Sequence, residues 1–430
     1  MDFYQIEGGI PLRGEYRVKG AKNAALPIMA ACVCCPGIHR LQDCPRIGDV
    51  YAMQEILRAL GVTTTWEKDA LITDSRSINR TEVPKKLMEE MRSSLFLLGS
   101  LMARCGEAKI YHPGGCRIGK RPIDLHLKGL ERLGFEISEI DGEVTCRGSC
   151  EGGEITLPYP SVGATENLMM AALAGKTDTI LRNCATEPEV ADLAGFLRGC
   201  GFTIYGGGTE TIFIKGAANA PRARQKELRG ETTYFIVEDR IEAATYLMAA
   251  LGSGGRILLR NTRARLLTEV LCVLRRMGAE LRCFEDLIEL RAPACLRSPG
   301  IVITAPYPGF PTDCQPQLMS LAAAARGLTT VREEIFENRF THKKELSKMG
   351  ADIEICGKNA IIKGTAGLQG CDVTARDLRG GAALVLAAMQ AEGESTIFGV
   401  KHIERGYDTL EAALQSVGAR LKTVEIPKKM

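Results

Sequence analysis

Residues 57–65 read LRALGVTTT, a helical pattern that ends at Gly61 and continues as a strand. The same pattern of apolar helix end, glycine and β-prone stretch recurs about every 70 residues, which indicates an internal repeat. Glycine there is typical of a helix stop, because its left-handed conformation satisfies the last helical carbonyls. The further copies are LERLGFEIS (130–138), LRGCGFTIY (197–205), LRRMGAELR (274–282), LSKMGADIE (346–354) and LQSVGARLK (414–422), with glycines Gly134, Gly201, Gly278, Gly350 and Gly418.

A second element recurs in the same register: a helix rich in Ala, Leu and Met, a glycine-containing turn, and a strand. Clear copies lie at 166–183, 243–261 and 382–400. These helices have almost no polar face, so we expect them to be buried on all sides. Each unit therefore reads helix–strand–helix–strand. Six such units divide most simply into two domains of three, with the division near residues 216–233.

Composition narrows the class of protein. The 430 residues are 45% hydrophobic and 25% charged, which predicts a globular fold. The formal net charge is only +3, from 55 basic and 52 acidic residues, which argues against a nucleic-acid partner. The first twenty residues lack the apolar core of a secretory signal, and the longest apolar stretches are too short to span a bilayer. We expect a soluble protein without a membrane partner.

Sixteen cysteines at irregular spacings favour reduced thiols in the cytoplasm over a disulfide scaffold. Cys32, Cys34 and Cys35 form a cluster for which two interpretations exist, metal ligands or buried core thiols. The cluster interrupts an apolar stretch and has no histidines close by in the sequence, so we favour buried thiols.

Cations occur repeatedly where helices are predicted to begin, a place that normally prefers Asp, Glu, Ser or Thr. One explanation is that each cation pairs with a nearby acid such as Asp239, Glu337, Asp377 or Glu404. The other is that an anion bridges several helix starts, which would indicate a substrate with carboxylates or phosphates. The cations are Lys22, Arg92, Arg121, Arg240, Arg339, Arg379 and Arg405.

A glycine-rich loop, HPGGCRIGKRP at 112–122, links a predicted strand at 108–111 to a helix expected to open at Pro122. Its glycines allow closure over a ligand. Three cations beside Cys116 should favour the thiolate, which makes this cysteine a candidate catalytic group.

Pro311-Thr312-Asp313 follows a rigid turn and precedes another predicted helix. Its carboxylate is either directed at the same centre or simply caps the helix. From the residues alone the cap is the better interpretation.

Three stretches, 20–27, 114–124 and 402–407, together resemble the UDP-N-acetylglucosamine 1-carboxyvinyltransferases of the enolpyruvyl transferase family. The resemblance covers essentially the whole chain and includes 160–167, 239–242, 310–313, 336–340 and 377–379. It implies an α/β fold of two inside-out barrels, each built from three of the six repeats. The domains would be 22–236 and 1–21 plus 237–430, with a cleft between them and the cysteine loop as its lid.

The resemblance also implies an activity, the transfer of the enolpyruvyl group of phosphoenolpyruvate to the 3-hydroxyl of UDP-N-acetylglucosamine, with no metal or organic cofactor. The sequence itself indicates no obligate protein partner. Asp313 would take the hydroxyl proton, and Cys116 would protonate the methylene, form a phospholactoyl adduct and react with fosfomycin. Lys22, Arg121 and Arg405 would hold phosphoenolpyruvate beside Asn23. The remaining substrate contacts would be Arg92, Pro122, Ile123, Asp124, Leu125, Ser161, Val162, Gly163, Ile335, Arg339 and Arg379, with Arg379 and Arg405 helping closure.

One departure is Tyr159-Pro160, where some members of the family carry a lysine that contacts the diphosphate. Three alternatives remain. They are the related 5-enolpyruvylshikimate-3-phosphate synthase, a ring-like clamp on DNA, and a slow paralogue that binds the nucleotide sugar. The loop cysteine argues against the first, and the near-neutral charge argues against the second.

Overall fold

The computed structural model describes residues 2–114, 119, 123–217 and 231–425, which form two compact units. The N-terminal unit comprises 20–114, 123–217 and 231–237. The C-terminal unit comprises 2–19, 119 and 238–425. Apart from Gly119, the chain therefore leaves the C-terminal unit after Lys19 and returns to it at Glu238.

The strands are short, as expected for segments that follow each helix stop. In chain order they are β1 (Phe3–Glu7), β2 (Arg13–Arg17), β3 (Ile38–Gln42), β4 (Thr63–Glu67), β5 (Ala70–Asp74), β6 (Glu107–Tyr111), β7 (Glu136–Ile140), β8 (Glu143–Arg147), β9 (Gly153–Thr156), β10 (Thr179–Arg182), β11 (Ile204–Tyr205), β12 (Thr211–Ile214), β13 (Glu231–Phe235), β14 (Arg256–Arg260), β15 (Glu280–Cys283), β16 (Leu287–Arg291), β17 (Ile301–Ile303), β18 (Leu328–Arg332), β19 (Asp352–Cys356), β20 (Asn359–Lys363), β21 (Asp372–Thr374), β22 (Glu394–Phe398) and β23 (Arg420–Val424).

Within the described residues these strands form six small sheets, three in each unit. Five of them combine a parallel and an antiparallel pairing. For example, Val331 of β18 lies opposite Val302 of the parallel β17 and opposite Ala360 of the antiparallel β20. The protein is thus mixed α/β. The strand orders are β13-β3-β5-β4, β6-β8-β7 and β11-β12-β10-β9 in the N-terminal unit, and β15-β16-β14-β2, β17-β18-β20-β19 and β21-β22-β1-β23 in the C-terminal unit.

The α-helices alternate with these strands. Short 3-10 helices at Arg92–Leu95, Ala172–Ala174, Ala264–Leu266, Thr312–Cys314 and Val400–His402 accompany them. No helix in the described part of the chain is long and apolar enough to cross a membrane. In chain order the α-helices are α1 (Lys22–Cys34), α2 (Gly48–Ala59), α3 (Lys85–Met88), α4 (Phe96–Cys105), α5 (Asp124–Arg132), α6 (Val162–Ala171), α7 (Pro188–Gly199), α8 (Arg240–Gly252), α9 (Thr268–Arg276), α10 (Gln315–Ala323), α11 (Lys343–Lys348), α12 (Leu378–Gln390) and α13 (Leu410–Ser416).

The Ala/Leu/Met-rich helices are buried, as their sequences predict. In the N-terminal unit α4 packs against α1 and α6, and in the C-terminal unit α10 packs against α8 and α12. Every residue of α10 and residues 379–389 of α12 are buried. By contrast, α9 buries one apolar face through Val270, Leu271, Val273 and Leu274 and exposes its charges. The apolar helices therefore form the core of each unit.

The predicted glycine helix stops are confirmed. Gly61, Gly134, Gly201, Gly278, Gly350 and Gly418 all have φ between 93° and 103° and follow α2, α5, α7, α9, α11 and α13, respectively. At the first stop the Gly61 amide donates to the Arg58 carbonyl and the Val62 amide to the Leu57 carbonyl, both at 3.0 Å. This bonding satisfies the last carbonyls of the helix and turns the chain into the following strand.

Gly350→Ala isolates the cost of the left-handed stop. A Cβ at this position would meet no atom within 4 Å, so only the backbone conformation (φ +93°) opposes it. We expect the free energy of unfolding, measured by urea titration, to fall by ~1 kcal/mol. Gly367→Ala is the matched control, since Gly367 also has open space and lacks a positive φ. An equal loss in both variants would contradict this account.

Glu242 is a buried carboxyl group near the start of α8. It accepts hydrogen bonds from the Tyr16 hydroxyl at 3.0 Å and from the Lys19 amide at 2.8 Å. Burial, reinforced by the negative charge of Asp239, raises the pKa of Glu242 to about 8. In the unfolded chain the same group titrates at ~4.3. Between these pH values the folded state holds a proton that the unfolded state has lost.

Because the folded state binds more protons in this window, stability contributed by Glu242 is present at low pH and is lost as pH rises toward 8. Glu242→Gln should therefore flatten the decline in unfolding free energy between about pH 5 and pH 8, by up to ~1 kcal/mol per pH unit. Urea unfolding at several pH values measures the difference. Glu15→Gln removes an exposed carboxyl group whose pKa Arg260 lowers, and it should leave the decline in place.

Candidate active site

In the C-terminal unit one carboxylate lies between two buried guanidinium groups. Asp313 Oδ1 accepts a hydrogen bond from Arg339 Nη2 at 2.7 Å, and Oδ2 accepts one from Arg379 Nη2 at 3.2 Å. The arginine side chains are each 4% exposed, whereas that of Asp313 is 28% exposed. The carboxylate is therefore held by protein cations on one side and accessible to a ligand on the other.

The interpretation of Asp313 as a helix cap is wrong. Pro311 precedes the 3-10 turn and Cys314 precedes α10, and neither helix start is capped by a side chain. The Asp313 carboxylate faces the two arginines instead. Leaving buried cations without a counter-charge costs more than losing one cap, so the ion pairs determine its orientation.

Glu333, which the sequence did not single out, fixes the backbone on both sides of this cluster. Its buried carboxylate accepts from the Thr312 hydroxyl at 3.0 Å and from the Thr304 hydroxyl at 2.9 Å. It also accepts from the Ile335 amide at 2.9 Å. Glu333 therefore positions both the turn that carries Asp313 and the turn that carries Ile335.

The expected helix starts are only partly correct in this unit. Arg240 opens α8 behind a capping Asp239, and Arg379 is the second residue of α12, which Asp377 caps through the Gly380 amide at 2.8 Å. Arg339, however, lies in a turn before α11.

Arg405 also lies outside a helix start, in a half-buried turn ahead of α13. Under one of the two explanations, each cation would pair with an acid close to it in the sequence. Arg339 and Arg379 instead both pair with the more distant Asp313.

In the N-terminal unit Lys22 begins α1, as predicted. The helix has no capping side chain and no acid in its first turn. Lys22 Nζ lies 2.7 Å from Asp49 Oδ2, in the first turn of α2, and both side chains are largely buried. Asn23 is exposed beside it. At this site the structure places both the cation predicted for an anionic ligand and an acid that balances it.

A second corner of the N-terminal unit is organised around His126, which the sequence analysis missed. Burial and then the positive charge of Arg92 lower the pKa of His126 to about 3, so the ring is neutral at physiological pH. Asn167 Nδ2 donates to His126 Nδ1 at 2.9 Å. The neutral ring adds no charge to that of Arg92.

Asn167 ties this corner together. Its amide donates to the Leu95 carbonyl at 2.9 Å, and its oxygen accepts from the Gly99 amide at 2.6 Å. A Cβ on Gly163 would lie 3.2 Å from the His126 ring. The structure therefore brings several predicted substrate contacts to one place around His126, namely Arg92, the start of α5 with Ile123, Asp124 and Leu125, and the turn Ser161, Val162 and Gly163.

Of the glycine-rich loop at 112–122, the structure describes residues 112–114 and 119. The predicted strand before it is confirmed as β6, and a Cβ on Gly114 would lie 1.8 Å from the Glu89 carbonyl oxygen, so glycine is required there. Cys116, Arg121 and Pro122 lie outside the described residues, and the following helix is described from Asp124.

The cysteine cluster in α1 is part of the core. Cys32, Cys34 and Cys35 are buried free thiols, which confirms the core interpretation. Across the described ranges, no group of three or more His, Cys, Asp or Glu side chains is arranged to hold a metal ion.

Comparisons with known proteins place this geometry in a family. The family model described as EPSP synthase (3-phosphoshikimate 1-carboxyvinyltransferase) matches residues 6–414. A curated relative from Caldanaerobacter subterraneus subsp. tengcongensis, UDP-N-acetylglucosamine 1-carboxyvinyltransferase 2, is 45% identical over 97% of this chain and 99% of its own. The UDP-N-acetylglucosamine 1-carboxyvinyltransferase of Finegoldia magna is 41% identical over 99% of this chain and 100% of its own.

A solved structure supports the same conclusion. The crystal structure of the enolpyruvyl transferase NikO from Streptomyces tendae superposes with a TM-score of 0.87 at 25% identity, covering 99% of both chains. These matches confirm the resemblance inferred from the motifs. The chain belongs to the enolpyruvyl transferase (EPSP synthase) family and, within it, to the UDP-N-acetylglucosamine 1-carboxyvinyltransferases.

Proposed function

We propose that this protein transfers the enolpyruvyl group of phosphoenolpyruvate to the 3-hydroxyl of UDP-N-acetylglucosamine and releases phosphate, the first committed step of peptidoglycan precursor synthesis. Relatives with that name share nearly the whole chain. The observation that carries the chemistry is the accessible Asp313 carboxylate held at both oxygens by Arg339 and Arg379. Such a group can accept a hydroxyl proton while the cations beside it attract an anionic substrate.

The reaction has two stages. The sugar oxygen attacks C2 of phosphoenolpyruvate while C3 gains a proton, which gives a tetrahedral ketal. The ketal then loses a proton from C3 and expels phosphate, which restores the double bond. Asp313 takes the hydroxyl proton in the first stage, and Cys116 donates the proton to C3. Preorganised cations that stabilise the phosphate and carboxylate lower both barriers.

Within the N-terminal unit we assign Lys22 to phosphoenolpyruvate and the corner around His126 to UDP-N-acetylglucosamine. Lys22 has a largely buried ammonium at a helix start, where backbone amides also favour an anion. The neutral His126 adds no charge beside Arg92, which can attract an anionic group of the substrate. Arg121 and Arg405 keep the roles inferred from sequence as further ligands of the donor.

Two finer features belong to this proposal. Each unit is one inside-out barrel of three repeats, with boundaries near 22–236 and 1–21 plus 237–430. Three sheets in each unit and six left-handed glycine stops support this arrangement. The protein works in the cytoplasm, for which the free thiols of the described cysteines are the supporting observation.

The related 5-enolpyruvylshikimate-3-phosphate synthase activity is the second candidate, because the matching family model carries that description. The acceptor distinguishes the two activities. We expect phosphate release from phosphoenolpyruvate with UDP-N-acetylglucosamine and none above background with shikimate 3-phosphate. The opposite preference would overturn the proposed function.

Asp313→Ala and Cys116→Ala should each lower kcat for phosphate release about 100-fold or more, the usual contribution of a general acid or base. Asp352→Ala is the matched control, because it removes an exposed carboxylate from β19 of the same unit. It should retain wild-type kcat. Full activity in either active-site variant would refute the role assigned to that residue.

A further inference from the structure

A buried group of three polar side chains lies against Arg379 in the C-terminal unit, and neither the motifs nor the proposed reaction assigns it a role. It consists of Thr245 on α8, Gln317 on α10 and Tyr407 in the turn before α13. The Arg379 guanidinium carbon lies 5.5 Å from the centre of the Tyr407 ring. Hydroxyl and amide groups in an otherwise apolar core are costly unless each is hydrogen-bonded, so their arrangement is informative.

The hydrogen-bond directions within this group follow from counting donors. Thr245 Oγ1 donates its hydrogen to the Ile241 carbonyl at 2.8 Å. Its 2.9 Å contact with Tyr407 Oη must therefore use the tyrosine hydrogen, with Tyr407 as the donor. Gln317 Nε2 donates to both oxygens, at 3.2 Å to Thr245 and 3.3 Å to Tyr407. The Tyr407 oxygen therefore presents no hydrogen to its other neighbours and can only accept hydrogen bonds from them.

Arg379 is a neighbour whose guanidinium group, which can only donate hydrogen bonds, is compatible with an oxygen that can only accept them. Its Nη1 makes no hydrogen bond in the described part of the chain, whereas Nη2 binds Asp313. Burial alone would lower the pKa of the guanidinium, but the Asp313 charge and the Tyr407 hydroxyl outweigh that effect and hold its pKa above the ordinary value. The Tyr407 hydroxyl, on a ring packed against the guanidinium group, therefore favours the charged form of Arg379.

We propose that Tyr407, with its hydroxyl hydrogen turned away by Thr245, is a positioning residue that holds Arg379 against Asp313 Oδ2. This inference rests on the proposed function, in which Asp313 takes the proton of the sugar hydroxyl. A rotated tyrosine hydroxyl would point its hydrogen at the guanidinium, and two donors repel each other. Thr245 thus acts on the Asp313 carboxylate through Tyr407 and Arg379 and does not itself touch the reacting atoms.

Tyr407→Phe keeps the ring and removes the oxygen, and it should lower kcat about tenfold with KM for UDP-N-acetylglucosamine within about twofold of wild type, because orientation matters most in the transition state. Thr245→Val should lower kcat at least ~3-fold through the same route. Thr245→Ser is the matched control, since it keeps the hydroxyl and should retain wild-type kcat. Urea unfolding midpoints confirm that each variant is folded.

A double-mutant cycle distinguishes positioning from general packing. Arg379→Lys replaces the guanidinium group by a single ammonium group. In that background, Tyr407→Phe should change kcat less than ~2-fold further. Crystal structures give a readout that does not depend on activity. The Arg379 Nη2 to Asp313 Oδ2 distance should exceed 3.5 Å in Tyr407→Phe and Thr245→Val and stay within hydrogen-bond range in Thr245→Ser.

The outcomes separate this inference from the proposed function. If wild type releases phosphate and the variants keep both wild-type kcat and the Arg379–Asp313 contact, the positioning role is overturned and the proposed function stands. An equal loss in Thr245→Ser and Thr245→Val overturns the route through the hydroxyl. If wild type releases no phosphate, the proposed function fails, and the crystal distances still decide whether Tyr407 positions Arg379.

Discussion

The site in the C-terminal unit depends on the pairing of two buried guanidinium groups with one carboxylate. Taking a cation out of water is expensive unless a counter-charge and well-directed hydrogen bonds replace the solvent. Asp313 supplies that charge to both Arg339 and Arg379. These three groups alone carry more positive than negative charge, an imbalance that suits an anionic substrate. The Asp313 carboxylate nevertheless remains partly accessible, as the proposed proton transfer from a substrate hydroxyl requires. Stability and the proposed chemistry therefore make the same demand on Asp313.

The fully buried helices explain why so few polar residues determine the geometry. A helix enclosed on every side cannot direct a polar side chain to water, so each such side chain must be satisfied inside the core. Asn167 on α6 does this by bonding the Leu95 carbonyl, the Gly99 amide and the His126 ring. Gln317 on α10 uses its amide nitrogen in the same way in the other unit, by donating to two hydroxyl oxygens. Polar residues within an Ala/Leu/Met-rich helix are thus the sequence signal that locates the supports of a site.

Local features of the fold were predictable, and long-range partners were not. The spacing of Gly61 and its five equivalents gave the helix stops, because a left-handed residue after a helix is a local requirement. One of the two explanations for the cations gave Arg379 an acid close to it in the sequence, but the carboxylate that binds it is 66 residues away. Arg339 was likewise expected at a helix start, whereas tertiary packing places it in a turn facing an acid 26 residues away. Sequence spacing predicts which residues are neighbours along one helix or strand. It does not predict which distant residues form ion pairs, because those pairs depend on which charges become buried together in the folded chain.

The start of α1 shows how an unfavourable local arrangement can serve a ligand. Lys22 places a positive charge at the positive end of a helix that has no cap and no acid in its first turn. Asp49 offsets this charge at 2.7 Å and at the same time lies at the start of α2, where a carboxylate is favourable. An anion that bound at this end would meet both the ammonium group and the positive end of the helix. A helix start without a capping side chain therefore suits an anionic substrate better than a start that already holds a capping carboxylate.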